Sequence, residues 1–265
     1  MLGIVAGASG AIGRSVVGKL LIRDYTVLAL VRNKIGEFTL LDYLANNNIR
    51  VNQLYIFNAD FLHDDEVNLA ISQLKKHAKK FKGADIFINC AGIYTSVKKK
   101  SMPDVNLLVN YIKPVQLFLQ IEPLMKPNAR VVFLLPKFSN IKSPCISKTK
   151  LRFLRSKLIL YYSLKHWIKK GQKENVYFYI PKITTSDFFI KNVSGKEHFW
   201  GQIRNFFGFP PEFSAEQIIT IATRNEFDEE SGAVYYNLSP ISLSEHLYNK
   251  KLKKQANEMM LNFNI

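Results

Sequence analysis

Residues Gly7-Ala8-Ser9-Gly10-Ala11-Ile12-Gly13 constrain this chain more than any other stretch. An apolar run, Leu2-Gly3-Ile4-Val5-Ala6, precedes them, and Val16, Val17, Leu20 and Leu21 follow at helical spacing. A glycine-rich turn between a strand and a helix brings backbone N–H groups and the positive helix end up to a pyrophosphate, because no Cβ blocks the approach. Glycine clusters also serve as plain tight turns, so the context decides. A second apolar run, Tyr25-Thr26-Val27-Leu28-Ala29-Leu30-Val31, closes a βαβ unit of about thirty residues and supplies that context.

The second strand ends at Arg32-Asn33-Lys34. In dinucleotide folds an acid at this point bonds the ribose 2′-hydroxyl, whereas an Arg accommodates a 2′-phosphate. Arg32 therefore favours NADP over NAD, the competing reading being an Arg at a strand end on the surface. A third strand, Gln53 to Phe57, leads to Asp60, which either accepts from an adenine amino group or caps the helix beginning near Asp64. A helical pattern ending in lysines follows, and Ala84 to Asn89 runs as a strand into the turn Asn89-Cys90-Ala91-Gly92. Strands alternating with helices in this way predict an α/β fold, a Rossmann-type doubly wound parallel sheet.

Gly7 and Gly13, then Asp60, then Asn89-Cys90-Ala91-Gly92 resemble the motifs of the short-chain dehydrogenase/reductase family, G-x-x-x-G-x-G, D and N-N-A-G. Ala11 stands at the middle glycine, with Gly10 giving the G-x-x-G-x-x-G spacing of other branches, and Cys90 replaces the second Asn. The resemblance implies that Ser9, Gly10, Ile12, Ala91 and Gly92 line a cofactor cleft. It implies that Asn110 is the helix Asn whose main chain holds a proton-relay water. Pro181, Ile183 and Ser186 fall in Ile180-Pro181-Lys182-Ile183-Thr184-Thr185-Ser186-Asp187, which is similar to the P-G-x-x-x-T turn over the nicotinamide.

The same resemblance implies hydride transfer with a carbonyl or hydroxyl substrate, using a Ser at the end of the fifth strand and a Tyr-Lys pair. Here the strand Ala129 to Leu135 ends in Pro136-Lys137, and the nearest hydroxyl is Ser139. Pro144 to Leu151 matches Y-x-x-S-K-x-x-L with Lys148 as the lysine and Pro144 in the Tyr position. Proline donates no proton, so the expected catalytic set is Asn110, Lys148 and Ser139, a non-standard one. Tyr161-Tyr162-Ser163-Leu164-Lys165 spells Y-x-x-x-K literally, but lies about 25 Å further along one continuous helical pattern. Two readings stay open: an oxidoreductase with a substitute proton donor, and a non-catalytic cofactor-binding module for regulation or interaction.

Composition bounds the rest. A chain of 265 residues, 47% apolar and 22% charged, holds one large core; residues 1–240 are expected to form the dinucleotide-binding domain and 241–265 a basic helical tail. Its formal net charge of +16 comes largely from lysine clusters at 75–82, 98–100, 165–173 and 250–254. These read as solvated faces more readily than as a nucleic-acid site, since no nucleic-acid motif accompanies them; contact with an anionic surface is the remaining alternative. Two cysteines without metal or redox spacing, and no signal or membrane-spanning segment, point to a cytoplasmic protein without a metal. The family's habit implies a homo-oligomer. Between Phe188 and Phe213, eight aromatic residues sit among glycines and prolines, fitting a lid over an apolar substrate or a core or subunit interface.

Overall fold

The computed structural model describes residues 1–97, 104–138, 141, 146–170, 175–224, 230–243 and 250–261. Its first half alternates strand and helix: β1 (Leu2–Ala6), α1 (Ala11–Ile22), β2 (Thr26–Val31), α2 (Lys34–Asn46), β3 (Leu54–Asn58), α3 (Asp64–Lys80) and β4 (Ala84–Asn89). A helical passage follows, α4 (Val105–Leu107), a π turn (Leu108–Ile112) and α5 (Lys113–Ile121), leading to β5 (Met125–Leu134). Then come α6 (Lys148–Lys169), β6 (Asn175–Tyr179), a 3-10 turn (Asp187–Phe189), α7 (Lys196–Phe206) and α8 (Pro211–Thr223). The chain ends in β7 (Val234–Tyr236), β8 (Ser239–Ile241) and α9 (Lys250–Leu261).

The sheet order is β3-β2-β1-β4-β5-β6-β7-β8, parallel through β7, with β8 returning antiparallel. Both faces of this sheet are covered, which is why β1 and β2 are apolar without alternation and buried throughout. Ile4, Leu28, Phe87 and Phe133 face one core with α3, α5 and α6; Val5, Val27, Ile88 and Val132 face a second core with α1, α2 and α8. In the first core Trp167 of α6 meets Phe118 edge-on at 5.1 Å, and Phe118 meets Phe133 at 5.8 Å. Burying rings of this size contributes about 2–3 kcal/mol each, so this face anchors α6.

The doubly wound expectation therefore holds. The strand order reverses between β1 and β4, and a ligand crevice opens at the carboxyl ends of strands on either side of such a reversal. The turns after those two strands are Gly7–Gly13 and Asn89–Gly92. Helix α9 docks on α6, with Ala256 fully buried and its carbonyl accepting from Ser163 Oγ at 3.4 Å.

Candidate functional site

The turn after β1 is held in shape by its glycines. Gly7 has φ +73°, and a Cβ there would lie 2.5 Å from the amide nitrogen of Ala91. At Gly13 a Cβ would fall 2.1 Å from the Gly7 carbonyl oxygen. A side chain at Gly7 would force the two turns apart, and one at Gly13 would break open the glycine turn itself. Gly10 is different: it is exposed, has φ −67°, and an added Cβ would meet only the Gly7 oxygen, at 3.4 Å. It caps α1 without a side-chain hydrogen bond, and the first turn of α1 carries no acid. The first amides of α1 therefore remain open to an anion, which is what a phosphate needs.

Neighbouring predicted residues converge on this turn. A Cβ on Gly36, in α2, would stand 2.9 Å from Ser9 Oγ, so the Arg32-Asn33 bend abuts the glycine turn; Asn33 caps α2 by accepting from Gly36 N, and Arg32 is exposed at the end of β2. Ile12 is half-buried against the second core. Asp60 is half-buried, its Oδ1 accepting from Leu62 N and its own N–H donating to Glu66. That carboxylate serves the local turn. Asn89 pairs in register with Ala6 and is fully buried, with Oδ1 accepting from Ala91 N and Nδ2 without a partner.

The loop after β4 is stapled from α4 and the π turn that follows it. Asn110 accepts from Ile93 N at 2.7 Å and donates to Ile93 O at 2.9 Å, while Asn106 does the same for Thr95 at 3.4 and 3.1 Å. Asn110 also donates to Ser156 Oγ of α6 at 3.1 Å. Ser156 is followed by Lys157, which is 4% exposed and donates from Nζ to the Ala91 carbonyl at 3.4 Å. A Cβ on Gly92 would meet Asn110 Oδ1 at 3.3 Å, Lys157 Nζ at 3.6 Å and Phe188 at 3.6 Å. Gly92, Asn110 and Lys157 thus share one point in the crevice.

This geometry moves the lysine. Lys148, expected to face the crevice, is the exposed first residue of α6, nine residues and about 13 Å along the axis before Lys157. Ser147 beside it caps the helix by accepting from Lys150 N. Phe153-Leu154-Arg155-Ser156-Lys157-Leu158-Ile159-Leu160 carries the same S-K-x-x-L as the run at 147–151, with Phe153 where the family pattern has Tyr. The Ser-Lys pair thus occurs twice, and it is the second that lies beside the turns after β1 and β4. The signal that separates them is apolar spacing: Phe153, Leu154 and Leu158 continue the buried stripe, and the earlier run precedes it.

Desolvation pulls the Lys157 amine down to about 8, the neighbouring Cys90 weakly opposing; burial pushes the Cys90 thiol up to about 12. Phe153 is buried edge-on against Tyr94, Phe188 and Phe189 at 5.5, 5.6 and 6.3 Å. Tyr161 and Lys165 are not part of this site: Tyr161 packs on Phe178 at 5.0 Å and Lys165 reaches the Gly232 carbonyl. Ser139 and Pro144 lie outside the described residues. Pro181 is half-buried after β6, Ile183 is exposed, and Ser186 donates its N–H to Asn205 Oδ1. No cluster of three metal-binding side chains occurs among the described residues.

An amide-lined turn at a sheet reversal, facing a buried lysine, defines a nucleotide-binding α/β protein of the doubly wound class. The model of the short chain dehydrogenase family matches residues 3–135, and the chain belongs to that family. Solved structures agree on the fold. A dehydrogenase/reductase from Sinorhizobium meliloti 1021 superposes with TM-score 0.65 at 17% identity, covering 88% of this chain and 91% of that one. A short-chain dehydrogenase/reductase of Caenorhabditis elegans, solved with cofactor, gives TM-score 0.67 at 16% identity over 84% and 88% of the two chains. An actinorhodin polyketide ketoreductase variant with NADPH gives 0.60 at 15% identity over 84% and 90%. No curated protein matches the chain.

Proposed function

We propose that this protein binds NADP, or NAD, across the Gly7–Gly13 turn and acts as an oxidoreductase on a carbonyl or hydroxyl substrate, with the amine of Lys157 in place of the missing phenol. The residues fit the cofactor. Gly7 and Gly13 leave room that a Cβ would fill, the start of α1 offers open amides, and Arg32 stands where a 2′-phosphate would be met. Ala91, Gly92 and Lys157 would border the nicotinamide ribose, with Pro181, Ile183 and Ser186 on the far side.

The observation that carries the reading is Lys157, a buried ammonium held by the Ala91 carbonyl at the point shared with Gly92 and Asn110. Bound cofactor would supply or accept the hydride. Lys157, with its pKa near 8, is charged at neutral pH and can give a proton to a developing alkoxide, a role that works best near the operating pH. Asn110 fixes the loop and, through Ser156, the register of α6. Carbonyl reduction should then fall as pH rises through about 8, and alcohol oxidation should rise.

One observation favours the non-catalytic reading: the rings of Tyr94, Phe153, Phe188 and Phe189 close on one another where a substrate would enter. Gly10→Asp tests the cofactor claim without the fold. Asp is a good helix cap and its Cβ has space, yet its carboxylate would oppose a pyrophosphate. Calorimetric titration should show NADPH affinity reduced about tenfold or more at unchanged melting temperature. Equal affinity would overturn the site. With binding established, a carbonyl panel separates the readings: turnover abolished in Lys157→Met supports the enzyme, and none in the unmodified protein supports the binding module.

A further inference from the structure

Helix α7 is built inside out. At about 100° per residue, Phe206, Phe199, Ile203, Phe207 and Trp200 fall in one stripe about 120° wide, and that stripe faces solvent: Phe206 is 84% exposed, Phe207 71% and Trp200 58%. The opposite side holds the helix to the body. Gly201 is buried so closely on Phe189 and Ile190 that a Cβ would lie 2.6 Å from each. His198 Nδ1 bonds the Ile190 carbonyl at 3.2 Å, Asn205 accepts from Ser186, Arg204 covers the Phe189 ring at 5.5 Å, and Glu197 lies close to Tyr94. Every one of those inward groups is polar or small. A helix that spends its polar side on its own domain and presents aromatics outward has its apolar side set for something else.

The charge beside it says what. The Tyr94 side chain lies close to both Glu197 of α7 and Ser147 at the start of α6, so those two elements adjoin. From Lys148 to Lys157, α6 carries five bases and no acid. Lys148 and Arg155 are exposed, as are Lys191 and Lys196 at the entry to α7. Aromatic residues flanked by cations are the composition of a helix lying in a bilayer interface, the rings among the upper acyl chains and the bases at the headgroups. A like-charged second copy would bring these cations together. We propose that α7 seats the protein on an anionic phospholipid surface, reversibly. No helix among the described residues is long and apolar enough to cross a membrane.

The proposal is independent of the cofactor reading. Its test uses the full chain and its own reporter: of the two tryptophans, Trp167 is 2% exposed in the core and Trp200 is on the apolar stripe. Vesicles of phosphatidylcholine mixed with phosphatidylglycerol should blue-shift the emission at low salt and carry the protein into the pellet. Phosphatidylcholine alone should do neither, and added sodium chloride should reverse the effect. Phe206→Ser with Phe207→Ser, both at exposed positions, should lower partitioning about tenfold or more per ring at an unchanged melting temperature. Absence of the shift on anionic vesicles, or equal binding to neutral ones, would overturn the proposal. So would a dimer, seen by light scattering, that the double variant dissolves, since the stripe would then belong to a second copy.

Discussion

On the proposed reading, Phe153 stands where the family's proton-donating Tyr would be, one oxygen short of it. The residue sits one helical turn before Lys157, so a phenol there would share a face with the amine. Phe153→Tyr should therefore raise carbonyl-dependent NADPH oxidation by about a hundredfold, the scale of a placed general acid; an unchanged rate would mean that Tyr94, Phe188 and Phe189 exclude the substrate. Lys157 makes a second, purely thermodynamic prediction. Its folded pKa is about 8 against about 10.4 when unfolded. Between those values the unfolded chain holds more proton, so the native state gains stability as pH rises through that window and bears the full penalty below it. The penalty is about 3 kcal/mol. Lys157→Met should accordingly melt above the unmodified protein at pH 7, with the gap closing by pH 10; a gap independent of pH would show that the amine is not the cause. The glycines of the cradle were legible in the sequence because φ and close approach admit nothing else at Gly7 and Gly13. The lysine was not. Ser147-Lys148 and Ser156-Lys157 read alike, a Phe stands where a Tyr would mark the position, and only the apolar stripe through Phe153, Leu154 and Leu158 tells the pairs apart.

Elements were read more easily than their ends. Strands β1, β2 and β4 are predominantly apolar runs, β4 being broken by Asp85, and the sequence marks them within a residue. Strand β5 begins at Met125, four residues before the apolar stretch at Ala129, because its first half lies exposed or half-buried and its register with β4 shifts between Ala84 and Ile86. The aromatic segment at 188–213 divides: Phe188 and Phe189 pack on the core, whereas the α7 rings do not. Period alone cannot say which face of an amphipathic helix turns inward. The seam between α1 and α8 contrasts two acids four residues apart. Glu216 meets Lys19 at 2.7 Å and Arg23 at 2.6 Å, with Glu216 exposed and Lys19 half-buried; Glu212 Oε1 accepts from Ser15 Oγ and Tyr43 OH, both at 3.0 Å. Burial pushes the Glu212 carboxyl up, but its hydrogen bonds and the Arg14 charge outweigh it and hold the pKa below normal. Glu216→Ala should cost under about 1 kcal/mol by urea denaturation. Glu212→Ala should cost more, about 1 kcal/mol, because two hydroxyls lose an acceptor, although Ser15 keeps its bond to the Ala11 carbonyl and the Tyr43 hydroxyl stays open to water. Equal losses would show that the seam is governed by packing alone.

For the whole molecule the dominant electrostatic fact is imbalance: 37 Lys and Arg against 21 Asp and Glu. The ion pairs among the described residues are mostly at the surface, where each contributes little, while the unpaired cations repel one another at all separations within the screening length. That length is about 10 Å at 0.1 M salt and about 3 Å at 1 M. Added salt therefore weakens two opposed terms, a few short attractions and many longer repulsions, and the longer ones are lost first. The folded state, which concentrates the charge, gains relative to the extended chain. The melting temperature should rise as sodium chloride increases from about 0.01 M to 0.1 M, where the screening length falls from about 30 Å to about 10 Å, and level off above that. A fall over the same interval would mean that paired charges outweigh the excess. The same comparison on Lys75→Glu with Lys79→Glu, two exposed or half-exposed positions on α3, should raise the starting value and flatten the salt curve, since each exchange removes two units from the imbalance.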